Sequence, residues 1–190
     1  GTGGDELRTL AEGNATTLMG GGIRDINGNG TTNDTVMIYS GAVTETHRPG
    51  ITARVSSQID NHKLLAGVWY EHTQHRKTQP AVAFNNAGSS VDPWLQNPAN
   101  YILRQDGTPY QGRDFLTIST ARSLFLQDNI SLMNDRLNLQ LGLRHTGIGR
   151  DFTNFASEGA GAYYNIKQNF FKTLPSLGAR YQLNNEQQVF

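Results

Sequence analysis

RLNLQLGLRHTGIGR, from Arg136 to Arg150, decides how this chain is read. Leu137, Leu139, Leu141 and Leu143 fall on one parity; Asn138, Gln140, Gly142 and Arg144 fall on the other. Side chains alternate across a β-strand, so the segment builds one leucine face and one polar face. A short polar turn, Asn134-Asp135, joins it to a second strand-like run, Thr117 to Leu132. Such a two-faced ribbon suits the wall of a membrane β-barrel, with lipid on one side and water on the other. One layer of a soluble sandwich carries the same pattern, so the surrounding architecture has to decide.

Period-2 alternation marks further strands on either side. Thr44 to Ile59 places Ile51, Ala53, Val55 and Ile59 together, against Thr52, Arg54, Ser56 and Gln58. The tetrapeptide Asp60 to Lys63 turns it into Leu64 to Arg76, where Leu64, Ala66, Val68 and Tyr70 oppose Leu65, Gly67, Trp69 and Glu71. In Thr117 to Leu132, Leu124, Leu126, Ile130 and Leu132 align, but Arg122 and Asp128 share their parity; a bulge or a shifted face assignment is expected there. The opening segment runs as far as Arg150 or Phe152. The last strand, Phe170 to Leu183, puts Phe171, Leu177, Ala179, Tyr181 and Leu183 on one side. Pro175 lies inside it and predicts a bulge or a local pairing defect. No segment shows a 3.6-residue period.

The connections choose between the architectures. Asp60 to Lys63, Asn134-Asp135 and Asn184 to Glu186 are short and polar, whereas Lys77 to Leu116 and Arg150 to Gln168 are long. Long structureless connections are uncommon in compact soluble domains. Alternating short and long connections put tight turns at one end of a sheet and large loops at the other, the pattern of an outer-membrane barrel. Trp69, Tyr70, Phe152, Phe155, Tyr163, Tyr164, Phe170 and Phe171 fall near strand ends on the long-loop side, and Tyr181 near the short-turn side. Aromatic girdles at both interfaces fit that orientation.

Composition narrows the function. Of 190 residues, 17% are charged and the formal net charge is zero, so no basic surface invites nucleic acid. There is no cysteine, which excludes disulfides and thiolate metal sites. No stretch is apolar for 18 residues, which excludes a transmembrane helix and leaves a barrel open. Neither a G-x-S-x-G elbow nor a P-loop nor an HExxH motif occurs, and no enzyme is expected. Asp25, Asn27 and Asn29, followed by Gly30, have the D-x-N-x-N-G opening of a calcium loop, although Val36 stands where a bidentate Glu belongs. A turn-rich surface loop is the first reading of this segment and loop calcium the second, and no intrinsic cofactor is expected. His72 and His75 point to opposite sides of a strand and do not form a joint metal site.

Ser123 to Thr146 (SLFLQDNISLMNDRLNLQLGLRHT) and Thr173 to Phe190 (TLPSLGARYQLNNEQQVF) resemble the barrel of TonB-dependent outer-membrane receptors. The resemblance rests on Phe125-Leu126-Gln127-Asp128 running into a short acidic turn, on the leucine strand ending Gly142-Leu143-Arg144, and on Pro175, Gly178 and Tyr181 in a later strand. It implies an all-β fold of antiparallel up-and-down strands, part of a large transmembrane barrel (22-stranded in the family), with short periplasmic turns and long extracellular loops. Residues 1–43 are expected as extracellular loop and lead-in to the first strand. Residues 44–190 are expected as a barrel segment of about six strands, the last one truncated, with the plug domain absent. The implied function is binding and import of a scarce ligand, foremost a ferric siderophore, at the bacterial outer membrane. The implied partners are outer-membrane lipid, the remaining barrel strands and plug, TonB through regions absent here, and the ligand; nucleic acid is not among them. Ligand contacts are expected from His72, Arg76, Trp94, Tyr101, Tyr110 and Arg113. Two alternatives stand beside this reading: a soluble secreted or surface β-domain acting as a calcium-dependent adhesion module, and a smaller barrel enzyme.

Overall fold

A computed structural model describes residues 6–13, 22–85, 87–158, 161–184 and 186–190. Its strands are β1 (Glu6–Ala11), β2 (Thr35–Ser40), β3 (Val43–His47), β4 (Gly50–Ile59), β5 (His62–Ala83), β6 (Gln111–Leu132), β7 (Leu137–Asn154), β8 (Tyr164–Gln182) and β9 (Gln188–Val189). They form one sheet in the order β1-β2-β5-β6-β7-β8-β9, and β3 and β4 also pair with β5. The all-β, antiparallel barrel-segment reading holds. The sheet is open because it is only part of a barrel.

β2, β3 and β4 lie along β5 in one register: Ser40 faces Ala81, Val43 faces Thr78, Gly50 faces Glu71 and Ile59 faces His62. The interruptions between them coincide with prolines. Pro80 and Pro49 lack the N–H a ladder needs, yet Pro80 O still accepts from Gly41 N at 3.4 Å and Pro49 O from His72 N at 2.9 Å. The turn read as Asp60 to Lys63 tightens to Asp60-Asn61, with Asp60 in the left-handed region at φ 51°. The turn after β6 widens instead. Met133, Asn134 and Asp135 all have positive φ, between 53° and 67°, and Arg136 N donates to Met133 O. Asn and Asp tolerate that conformation; Met133 does so against its preference.

The long strands outrun their sequence signal. β5 continues to Ala83, β6 begins at Gln111, β7 reaches Asn154 and β8 begins at Tyr164. Residues 1–43, expected as loop and lead-in, contain β1 and β2. β8 also runs unbroken through Pro175, without the expected defect. Among the described residues β8 has a second neighbour only at Tyr181 and Gln182, so the proline sits where few ladder bonds are at stake.

By contacts the chain divides into two units, with boundaries that cut across β5 to β8. The first comprises Gly1–His47, Gln74–Thr117 and Phe152–Ile166; the second comprises Arg48–Thr73, Ile118–Asp151 and Lys167–Phe190. Every buried hydrophobic residue among those described belongs to the first unit, where Leu10, Ile23, Ile38, Ala81, Ile102 and Tyr110 pack together. The second unit is a single sheet layer without such a core. A lone sheet cannot be stable in water with a leucine face uncovered, so another phase has to cover it.

Contacts across the second unit fix its two faces. Ser123 Oγ accepts from Arg144 Nε at 2.8 Å and Ser131 Oγ donates to Asn138 Oδ1 at 3.1 Å, which joins β6 to β7 on the polar side. On the other side His145 stacks on Phe171, and Ile51, Ala53 and Val55 of β4 face Tyr70, Val68 and Ala66 of β5. The leucine face is bare: Leu124 is 59% exposed, Leu141 43% and Leu177 79%. Among the described residues no second protein layer covers them. Along β8, Phe171 and Tyr181 are ten residues apart. At ~3.4 Å per residue and a tilt of ~40°, that gives a band ~26 Å tall, the height of a barrel's apolar belt.

Arg122 and Asp128 stay on the leucine side, and partners cover them. His62 Nδ1 lies 2.7 Å from Asp128 Oδ2, and the Arg122 guanidinium lies 5.3 Å from the centre of the Phe171 ring. The expected face shift is replaced by pairing.

Candidate functional site

The connections of the first unit are folded rather than loose. In the stretch between β5 and β6, Tyr101 Oη donates to Leu95 O at 2.7 Å, Ile102 N donates to Ala81 O at 2.9 Å, and Tyr110 N donates to Ile102 O at 2.8 Å. Asn97 caps a short 3-10 turn, Pro98–Asn100, by accepting from Ala99 N. Asp92 Oδ2 accepts from Asn97 N at 2.8 Å, and this backbone hydrogen bond holds the Asp92 carboxyl below the usual carboxylate range. Arg104 is buried against the Tyr110 ring, its guanidinium 5.3 Å from the ring centre. Burial lowers its pKa, while Glu158 and Asp106 oppose that shift.

The expected ligand residues scatter over this framework. Trp94 is 80% exposed, and Arg113 is exposed near the start of β6. Tyr110, at 1% exposure, is a core residue and presents no surface to a ligand. Tyr101 is half-buried and lines a cleft of about 230 Å³ with Arg24, Asp25 and Asn100. That volume is below the 300–1,000 Å³ usual for small-molecule sites, so the cleft alone does not enclose a bulky chelate. His72 and Arg76 share the parity of Val68 and Tyr70, so they continue the leucine face beyond its apolar part. Arg76 is committed there: its Nη2 lies 2.5 Å from Asp114 Oδ1, and its guanidinium stacks 4.4 Å from the centre of the Phe155 ring. Phe115, Phe152 and Tyr164 continue the aromatic contacts, with ring centres 5.6 and 5.8 Å apart.

The loop with the calcium-like spacing does bring Asp25, Asn27 and Asn29 together with Asp34. Asp25 accepts from Gly28 N at 2.7 Å and Gly30 N at 2.8 Å. Asn27 Oδ1 accepts from Asn29 N, and Asn29 Oδ1 accepts from Thr31 N and its hydroxyl. Asp34 accepts from the Asn27 and Asn29 amides and from the Thr31 hydroxyl, bonds that lower its pKa. Asx turns of this kind use side-chain oxygens to bind backbone N–H groups, and Gly28 and Gly30 supply the positive φ that the turn requires. Glu12 closes the loop from below, its Oε1 accepting from Ile26 N at 2.6 Å.

Alternation alone did not show that Gly67 packs with Phe125 or Gly147 with Phe171. A Cβ on Gly67 would lie 2.8 Å from Ala53 O and run into the Phe125 ring, and one on Gly147 would lie 2.7 Å from the Phe171 ring. In each pair an aromatic ring lies over a bare stretch of the neighbouring strand, which fills the gap a glycine leaves in a sheet. Glycine on one strand and an aromatic on the next was visible in the sequence, but the register that pairs them was not.

The crystal structure of the siderophore receptor PiuA from Acinetobacter baumannii is similar at 17% sequence identity with a TM-score of 0.41; the match covers 79% of this chain and 23% of that one. The chain thus spans about a quarter of that receptor's length. No curated protein matches it in sequence. The family model for the TonB dependent receptor-like β-barrel matches residues 8–190, from β1 to the last residue, and the chain belongs to that family of outer-membrane receptor barrels, not to an enzyme family.

Proposed function

We propose that this chain is wall and loop of an outer-membrane receptor that binds a scarce ligand outside the cell, a ferric siderophore foremost, and imports it with energy delivered through TonB. The observation that carries the reading is the second unit: a sheet whose leucine face is exposed and whose opposite face carries Arg54, Gln58, Gln127, Asn138, Gln140 and Arg144. Lipid on the first side and a watery lumen on the second satisfy both. The opposite face of β8 is not uniformly polar, since Phe170 is 60% exposed and Leu174 shares its parity. A plug domain in the lumen would give those two side chains a partner.

Ligand capture is assigned to the exposed residues of the connections. Trp94 and Arg113 are the accessible aromatic and cation of the expected set, the residue types that dominate binding energy at recognition surfaces. Trp94→Ala and Arg113→Ala in the receptor carrying this segment are each expected to weaken uptake of radiolabelled ferric siderophore about tenfold. Unchanged uptake in both variants, with normal amounts of receptor in the outer membrane, would remove them from the binding surface. Uptake that persists when the receptor itself is deleted would overturn the siderophore reading.

A further inference from the structure

The loop of residues 24–34 carries the only two Asn-Gly steps in the sequence, Asn27-Gly28 and Asn29-Gly30. All four residues are exposed, and a Cβ on either glycine would meet nothing within 4 Å among the described residues. Glycine leaves its own nitrogen open to the side chain before it, because no Cβ stands in the way. That nitrogen can lose its proton, attack the asparagine Cγ and close a succinimide ring as ammonia leaves. Water then opens the ring at either carbonyl and leaves aspartate or isoaspartate, the latter with an extra methylene in the backbone.

One carboxylate holds both attacking nitrogens. Asp25 Oδ1 accepts from Gly28 N at 2.7 Å and Asp25 Oδ2 from Gly30 N at 2.8 Å. An N–H bonded to a negative charge gives up its proton less readily, since the anion formed would lie against the carboxylate. The target amides are held as well. Asn29 Oδ1 accepts from Thr31 N and from the Thr31 hydroxyl, and its Nδ2 donates to Asp34 Oδ2. Asn27 is held less: its Oδ1 accepts from Asn29 N and its Nδ2 donates to Asp34 Oδ2 at 3.2 Å. Closing the ring at Asn29 therefore breaks more bonds than closing it at Asn27.

We propose that Asn27-Gly28 and Asn29-Gly30 form a site of succinimide modification whose rate Asp25 holds down, with Asn27 the first to convert. Conversion at Asn27 removes an amide donor from Asp34 and sets a second carboxylate in its place. Like charges then repel where a hydrogen bond stood, so the product loosens the loop that the Asx turns hold closed. This chemistry belongs to the loop and is independent of what covers the leucine face.

The test incubates the full-length protein in detergent at mildly alkaline pH and physiological temperature, beside an unfolded synthetic peptide of residues 22–36. Mass spectrometry after acidic digestion follows both, with fragmentation that tells isoaspartate from aspartate. The folded loop is expected to react about tenfold more slowly than the peptide, with Asn27 ahead of Asn29. Asp25→Asn keeps the shape of the side chain and removes its charge, and should speed both steps about tenfold. Isomerisation at Asp106-Gly107, where Gly107 N donates to Arg104 O instead, should stay unchanged and reports that the fold is intact. Equal rates in wild type and Asp25→Asn, or a folded loop as fast as the peptide, would overturn the role of Asp25. Equal acceleration at Asp106-Gly107 would overturn it too, since the substitution would then act by general loosening. An unmodified loop in Asp25→Asn, while the peptide converts, would overturn the modification site itself.

Discussion

Leu141→Arg is expected to destabilise the membrane-inserted barrel by about 2–4 kcal/mol, whereas Gln140→Arg, one residue away, should change its stability by less than about 0.5 kcal/mol. Leu141 sits in the middle of the Leu137–Leu143 run on the bare face, and Gln140 points to the other side. If lipid covers the leucines, an arginine at that depth has to be taken out of water without a partner. If water covers them, the same substitution is nearly neutral and even improves solubility. Urea titration of the receptor in bilayers, followed by tryptophan fluorescence, separates the two outcomes, because only lipid contact makes adjacent positions differ by several kcal/mol. Arg122 and Asp128 show how the chain itself tolerates charge on this face: one lies over an aromatic ring and the other is paired with His62.

Gly67→Val carries the second large effect. The new Cβ would lie 2.8 Å from the Ala53 carbonyl oxygen, a backbone atom of the neighbouring strand that cannot rotate away, and closer still to the Phe125 ring. Overpacking of this kind costs about 1–3 kcal/mol. The double variant Gly67→Val with Phe125→Ala removes the ring but not the carbonyl, so it should recover only part of the loss. Full recovery would mean that the ring alone makes the contact tight; no loss in the single variant would mean that β4 and β5 do not approach as described. Equilibrium unfolding of the three variants measures both.

Much of this sheet was legible because alternation is a consequence of having one wet and one dry side. Leu137 to Leu143, Ile51 to Val55 and Leu64 to Tyr70 read correctly for that reason. The signal fades where both sides of a strand are polar or both are apolar. Beyond Tyr70 the leucine parity of β5 carries His72, Gln74 and Arg76, so nothing in the pattern announces that pairing goes on to Ala83. β2 fails in the opposite way: Val36, Met37, Ile38 and Tyr39 are consecutive, without alternation, and only its pairing with β1 and with the far end of β5 reveals the strand. Turn positions were found through their Asn and Asp residues, but their widths were not, since width depends on where the ladders stop. Met133 joins a turn although its residue type argues against it.

The candidate site was less legible than the fold. Residue type alone gave Tyr110 and Trp94 equal standing as aromatic anchors, yet the first fills a core and the second stands in solvent. What separates them is the backbone of the connection, which folds Tyr110 under Ile102 through pairing with Ala81. Arg122 was conspicuous in the sequence only as an exception to a pattern. The exception acquires meaning once Gly147 and Phe171 are seen beside it.

The most direct test uses the absence of cysteine from this segment. Single substitutions Leu141→Cys, Leu124→Cys, Gln140→Cys and Ser123→Cys can each carry a fluorophore in the bilayer-embedded receptor, challenged by brominated lipid and by aqueous iodide. Lipid should quench the first two and iodide the last two, switching at every step along the strand. Indifference to bromine at both leucines, or quenching by lipid at Gln140 and Ser123 instead, would contradict the account.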